Sequence, residues 1–163
     1  MRPLEERTLT LSSAAFAELT RAVLDKGNRF RFCARGISMI PFIRDGDTLT
    51  IAPLASGAPR LGEVVAFSYP PEQGKELVVH RVVGRRRDGF IVRGDANGCA
   101  PEMISSENIL GRVVRVEREG RYVRLGLGPE RWLIAWMSRI RVLWSFVWQA
   151  WRAARQTFKR QTV

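Results

Sequence analysis

Ser38 stands in the stretch Arg35-Gly-Ile-Ser-Met-Ile-Pro-Phe-Ile-Arg-Asp-Gly-Asp47, with Gly36 two positions before it and Pro41 three after. A serine hydroxyl is a weak nucleophile at its free pKa and needs a base to take its proton. The chain offers one histidine, His80, within Val78-Val-His-Arg-Val-Val83. Alternation along that run puts the imidazole on one face of a strand and its neighbours on the other. A third stretch, Arg93-Gly-Asp-Ala-Asn97, follows a β-like run, and its Gly-Asp turn could aim Asp95 at an imidazole. Serine, histidine and aspartate in these roles are nucleophile, general base and orienting group, and such triads occur in several chain orders. Backbone N–H groups around Ser38 would form the oxyanion site, and Gly36 would leave room for a substrate carbonyl.

Each residue also has a plainer use. A turn serine commonly bonds local backbone, and a Gly-Asp turn often needs its aspartate for the same purpose. His80 alone would read as a half-buried strand histidine, and Met39 as a wall of the cleft or part of the core. The ordered set of motifs favours the chemical reading for Ser38 and His80. For Asp95 the two readings stand level.

The elements that must position these residues are mostly short strands. Residues 12–26 read as a helix capped by Ser12 or Ser13, with Phe16, Leu19, Val23 and Leu24 at helical spacing and a Gly27-Asn28 stop. From Arg29 to Leu127 short β-like runs alternate with turns such as Asp45-Gly46, Asp88-Gly89 and Glu119-Gly120. This predicts a mainly β domain, an antiparallel barrel or folded sheet, over 29–127. After the Gly126-Leu-Gly-Pro129 break, residues 129–163 read as a long helix. Trp132, Trp136, Met137, Ile140, Trp144, Trp148 and Trp151 fall in one broad apolar sector, opposite Arg131, Ser138, Arg141 and Arg152.

With 163 residues, 45% of them hydrophobic, the chain has room for one ordinary domain and an appendage. Its net charge of +11 points to an anionic partner, either nucleic acid or acidic lipid. The charge is uneven: beyond Glu130 stand Arg131, Arg139, Arg141, Arg152, Arg155, Lys159 and Arg160, with no acidic residue. Interleaving of arginine with tryptophan on a helix suits in-plane binding to an anionic membrane better than it suits nucleic acid. Cys33 and Cys99 have no metal-ligand spacing and read as free thiols, and neither a metal nor a cofactor is expected. No signal peptide is expected, because Met1-Arg-Pro-Leu-Glu-Glu-Arg7 is not a charged region leading into an apolar stretch. No spanning helix is expected, because Arg139 and Arg141 would interrupt the C-terminal apolar segment.

The motifs in order resemble the S24/S26 peptidase superfamily, in the signal peptidase I branch that has histidine where lysine is more usual. The matching residues are Gly36-x-Ser38-Met39-x-Pro41 with Asp45-Gly-Asp47, Gly62-Glu-Val-Val-Ala-Phe67, His80-Arg-Val-Val83, Gly94-Asp-Ala-Asn97 and Glu107-Asn-Ile-Leu-Gly-Arg-Val113. The resemblance covers Phe30 to Val116. It implies a β-rich fold of signal-peptidase type and a serine endopeptidase with Ser38 as nucleophile and His80 as general base. It implies also that Gly36, Met39 and Pro41 frame the substrate, and that cleavage follows small residues near a membrane surface. In the endoplasmic-reticulum and archaeal type another aspartate often follows the Gly-Asp-x-Asn motif; here Gly98-Cys-Ala-Pro-Glu102 stands, which makes Glu102 a candidate substitute. The expected protein is peripheral on the cytoplasmic side of a membrane, acting on a leader or signal segment. The alternatives are a catalytically silent relative that binds peptide or membrane and, third, a nucleic-acid-binding protein.

Overall fold

The computed structural model describes residues 12–54, 57–69, 77–96, 99–124 and 126–138. Helix α1 covers Ser13–Asp25, and the Ser12 side chain caps it by accepting from the Ala15 N–H at 3.2 Å. Gly27, at φ +78°, ends it with its N–H on the Leu24 carbonyl. The strands that follow are β1 (Phe30–Cys33), β2 (Thr48–Ala52), β3 (Val64–Ser68), β4 (Leu77–Arg86), β5 (Gly89–Arg93), β6 (Glu102–Ile104), β7 (Ile109–Arg118) and β8 (Arg121–Val123).

All pairings are antiparallel, and the sheet runs β1-β2-β7-β3-β4-β5-β6 with β8 on β7. The protein is therefore mainly β, as its alternating β-branched runs predict. Among the described residues no pairing of β1 with β6 closes the sheet into a barrel. The long β7 organises it, pairing β2 along one edge and β3, then β8, along the other.

Two apolar clusters hold the sheet. One centres on Leu49, Ile51, Val64, Ala66, Val113 and Val116 and takes Leu24 from α1. The other centres on Val65, Phe67, Val82, Phe90 and Val92. Adjacent residues such as Val64 and Val65 enter different clusters because strand side chains alternate, so both faces of β3 are buried.

Residues 131–138 are helical. Ala135 is buried, Arg131 reaches Glu63 at 3.8 Å, and the Ser138 carbonyl accepts from Arg93 Nη1 at 2.7 Å. Trp132, Leu133, Trp136 and Met137 are half or more exposed. The side carrying Arg131, Ala135 and Ser138 thus faces the domain, and Trp132, Leu133, Trp136 and Met137 face outward. The remainder of the predicted C-terminal helix, from residue 139 on, lies outside the described residues. Among the described residues no helix is long and apolar enough to cross a membrane.

Candidate active site

The loop that carries Ser38 is tied off at its base. Ala34 N–H donates to the Asp47 carbonyl at 2.7 Å, and Gly46 N–H donates back to the Ala34 carbonyl at 2.9 Å. Gly36 has φ +95°, a conformation that costs an L side chain, and its N–H donates to Asp45 Oδ1 at 2.8 Å. Ile37–Ile43 then make a tight helical turn, with the Phe42 and Ile43 N–H groups on the Met39 carbonyl. Met39 is buried and anchors the turn in the core, while Pro41, after a cis Ile40–Pro41 bond, is exposed.

Asp47 fixes the far end of this loop. Its carboxylate accepts from Arg118 Nε and Nη2, each at 2.8 Å, and from the Arg44 N–H at 2.8 Å. Burial pushes the Asp47 pKa up, but the Arg118 and Arg44 hydrogen bonds and their charges outweigh it, and the net shift is downward from 3.8. A carboxylate held below its unfolded pKa stabilises the fold above that value, and the contribution disappears as pH falls through the folded value. Asp47→Asn is expected to cost roughly 1.5–3 kcal/mol near neutral pH and to flatten the loss of stability below about pH 4. Urea denaturation followed across pH measures both, and an unchanged acid limb would refute the assignment.

Ser38 itself is half-buried, and among the described residues neither its hydroxyl nor its N–H is used in a hydrogen bond. Its carbonyl accepts from the Ala96 N–H at 2.9 Å and faces Cys99 Sγ at 3.7 Å. A Cβ on Gly94 would come within 2.5 Å of the same carbonyl oxygen, so only glycine permits this approach. The β4–β5 register sets Arg81 opposite Arg93, which brings His80 alongside Gly94. The Ser38 carbonyl and the backbone of the histidine strand therefore flank Gly94 at the end of β5, and His80 is not among the residues that line the cleft at Ser38.

His80 lies opposite Val65 and 5.8 Å, ring to ring, from Phe67, on the face of the second apolar cluster. It is 6% exposed, and its Nδ1 is sealed off with no hydrogen-bond partner. Burial lowers its pKa below 6.5, opposed by the charges of Glu102 and Asp95. The imidazole is consequently neutral at neutral pH, the state a general base needs.

The carboxylate facing Nδ1 is that of Glu102, whose Oε1 lies 3.9 Å away. Tyr69 Oη donates to the other Glu102 oxygen. Asp95, the orienting group expected from the sequence, has both oxygens on another residue: Arg81 Nε donates to Oδ1 at 2.8 Å and Arg81 Nη2 to Oδ2 at 2.7 Å. It acts on His80 through its charge alone. Tyr69 escapes a motif-based reading; the available signal is its place two residues after Phe67 on the same strand face.

A cleft of about 520 Å³ opens at Ser38. Gly36, Ser38 and Met39 line one side, Leu77, Val78 and Val79 of β4 another, with Phe16 and Phe32 nearby. β5 pairs with β4 only from Arg81 onward, and among the described residues no strand pairs with that edge of residues 77–80. Ile37, 70% exposed, and Ile40 make the rim beside Ser38 apolar. No protein-family model matches the chain, and no curated protein matches it.

Proposed function

We propose that this protein is a serine endopeptidase of signal-peptidase type, with Ser38 as nucleophile and His80 as general base. The observation that carries the reading is the cleft at Ser38, whose second wall is the run of β4 leading into a buried, neutral His80. An extended peptide would add to the β5-side edge of residues 77–80 as a further strand, its apolar side chains against Met39 and the valines. Ser38 Oγ would attack the scissile carbonyl as His80 takes its proton. Collapse of the tetrahedral intermediate breaks the C–N bond, and His80 returns the proton to the leaving amine. Water, activated by the same imidazole, would hydrolyse the Ser38 ester. The unused Ser38 N–H is a candidate oxyanion donor.

Glu102 replaces Asp95 in this scheme as the carboxylate that supports His80, and Asp95 becomes a positioning residue acting through Arg81. Glu102→Gln removes a charge that raises the His80 pKa, so the acid limb of kcat/KM should move to lower pH with the plateau reduced. An acid limb at the wild-type position would return Glu102 to a purely structural role.

The reading includes peripheral attachment to an anionic membrane on its cytoplasmic side through the segment that begins at residue 129. The outward apolar side chains Trp132, Leu133, Trp136 and Met137 support it, since such a face favours a non-aqueous neighbour. The experiment is cleavage of leader-bearing precursors by the purified protein with anionic vesicles, comparing wild type with Ser38→Ala and His80→Ala. Identical cleavage patterns from all three would refute the protease assignment.

A further inference from the structure

The sheet carries a second basic feature, away from the Ser38 loop and outside the tryptophan segment. Arg31 on β1, Thr50 on β2 and Arg115 on β7 lie directly opposite one another in register, forming one row across the sheet. Phe30 and Phe32 point to the other side, where their rings pack on Phe16 of α1. The arginine row therefore occupies the face that α1 does not cover. It lines a cleft of about 520 Å³ together with Arg29 and Tyr122. A second cleft of about 510 Å³ contains Arg112, Arg124 and Arg131 and shares Val114 and Tyr122 with the first. The two are therefore neighbours on this part of the sheet.

The charge in these clefts is only partly matched. Glu117 is held by Arg31 and Arg115, and Glu63 by Arg112 and Arg131 at 3.3 and 3.8 Å. Glu130 is turned to its own N–H and to those of Gly126 and Gly128, which hold its pKa below the usual carboxylate value. Arg29 and Arg124, both exposed, have no ion pair among the described residues. The unbonded Nε atoms of Arg112 and Arg131, by contrast, are sealed from solvent and leave those residues only their outer nitrogens for a ligand. A guanidinium with spare donors on a concave surface suits a tetrahedral phosphate.

We infer that these neighbouring clefts bind the phosphate groups of anionic phospholipid, so that the sheet supplies a second membrane contact in addition to the apolar face of the helix. The inference rests on the peripheral-membrane part of the proposed function and is independent of catalysis. Lipid is favoured over nucleic acid because the helical stretch that supplies Arg131 to the second cleft also carries the outward apolar side chains Trp132, Leu133, Trp136 and Met137. Acyl chains and headgroups together complement such a surface, whereas a nucleic-acid backbone would leave its aliphatic side chains in water. Stable peripheral attachment generally takes two signals, and charge plus an apolar face are two.

The test is flotation of the full-length chain with vesicles of neutral phosphatidylcholine, with and without phosphatidylglycerol, at two salt concentrations. Wild type should bind the anionic vesicles and release with salt. Arg29→Gln/Arg115→Gln/Arg124→Gln leaves Arg31 on Glu117 and should weaken anionic binding by on the order of a hundredfold, with an unchanged circular dichroism spectrum and melting temperature. Trp132→Ser/Trp136→Ser should weaken binding to both vesicle types. Wild-type affinity in the arginine variant would overturn the inference while leaving the tryptophan contact standing. No vesicle binding by wild type would overturn both. Displacement by millimolar inorganic phosphate at constant ionic strength would make the clefts a site for soluble phosphate, and binding to duplex DNA or RNA without binding to vesicles would make them a nucleic-acid surface; either result refutes the lipid assignment.

Discussion

Ser38→Ala and His80→Ala should each lower precursor cleavage by on the order of 10⁴-fold or more, and the double variant should be little worse than the poorer single one. The non-additivity is the stronger part of the expectation. If Ser38 Oγ becomes a nucleophile only by giving its proton to His80, removing either group removes the same step. Two residues that merely shape the cleft would instead give roughly additive losses. Wild-type kcat/KM should rise with pH along a limb centred below 6.5, because burial holds the His80 pKa down and Glu102 and Asp95 recover only part of the shift. The same displacement acts on stability. Below 6.5 the unfolded chain takes up a proton that the folded state resists, so stability falls as pH drops from 6.5 through the folded value. His80→Ala should remove that dependence along with the activity. A serine variant that still cuts the precursor at the wild-type site would end the nucleophile assignment.

The strands were legible where β-branched residues alternate between clear turns, as in Thr48–Ala52, Val64–Ser68 and Ile109–Arg118. Helix α1 was legible too, because Ser12 is a strong N-cap and Gly27 a strong stop signal. The strand Glu102–Ile104 was not legible; its short run after Pro101 has no alternation of its own, and pairing with β5 creates it. Ser38, His80 and Asp95 could be selected as chemically capable residues from their types and neighbours. The partner of Asp95 could not. Arg81 looks in sequence like an ordinary strand cation next to the histidine, and only the fold reveals that it is wholly buried. Likewise, the helical period separates Trp132 and Trp136 from Arg131 and Ser138 but does not say which side meets the domain. Glu63 and Arg93 decide that, since both reach for the polar side.

Arg81 is the residue whose loss should cost the fold most. Its side chain is 0% exposed and that of Asp95 is 2% exposed, so neither charge can turn to water if the other is removed. Besides its fork on Asp95, Arg81 donates through Nη1 to the carbonyls of Gly62 at 2.9 Å and Gly126 at 2.8 Å, and it lies over the Phe42 ring at 5.4 Å. One guanidinium thus ties together the end of β5, the entry to β3, the exit from β8 and the Ser38 loop. Arg81→Leu should destabilise by about 3–5 kcal/mol by leaving Asp95 buried and unpaired. Arg81→Lys should recover little, because one ammonium cannot make the bidentate bond and reach both carbonyls. Arg81→Leu/Asp95→Leu should be more stable than Arg81→Leu alone, since the orphaned charge is gone. Denaturant midpoints for the four proteins measure this directly. Asp95→Asn should lose stability and cleavage together while the acid limb moves only slightly, whereas Glu102→Gln should move the limb at small cost in stability. The reverse pattern would show that Asp95 orients the imidazole after all and that Glu102 is the structural carboxylate.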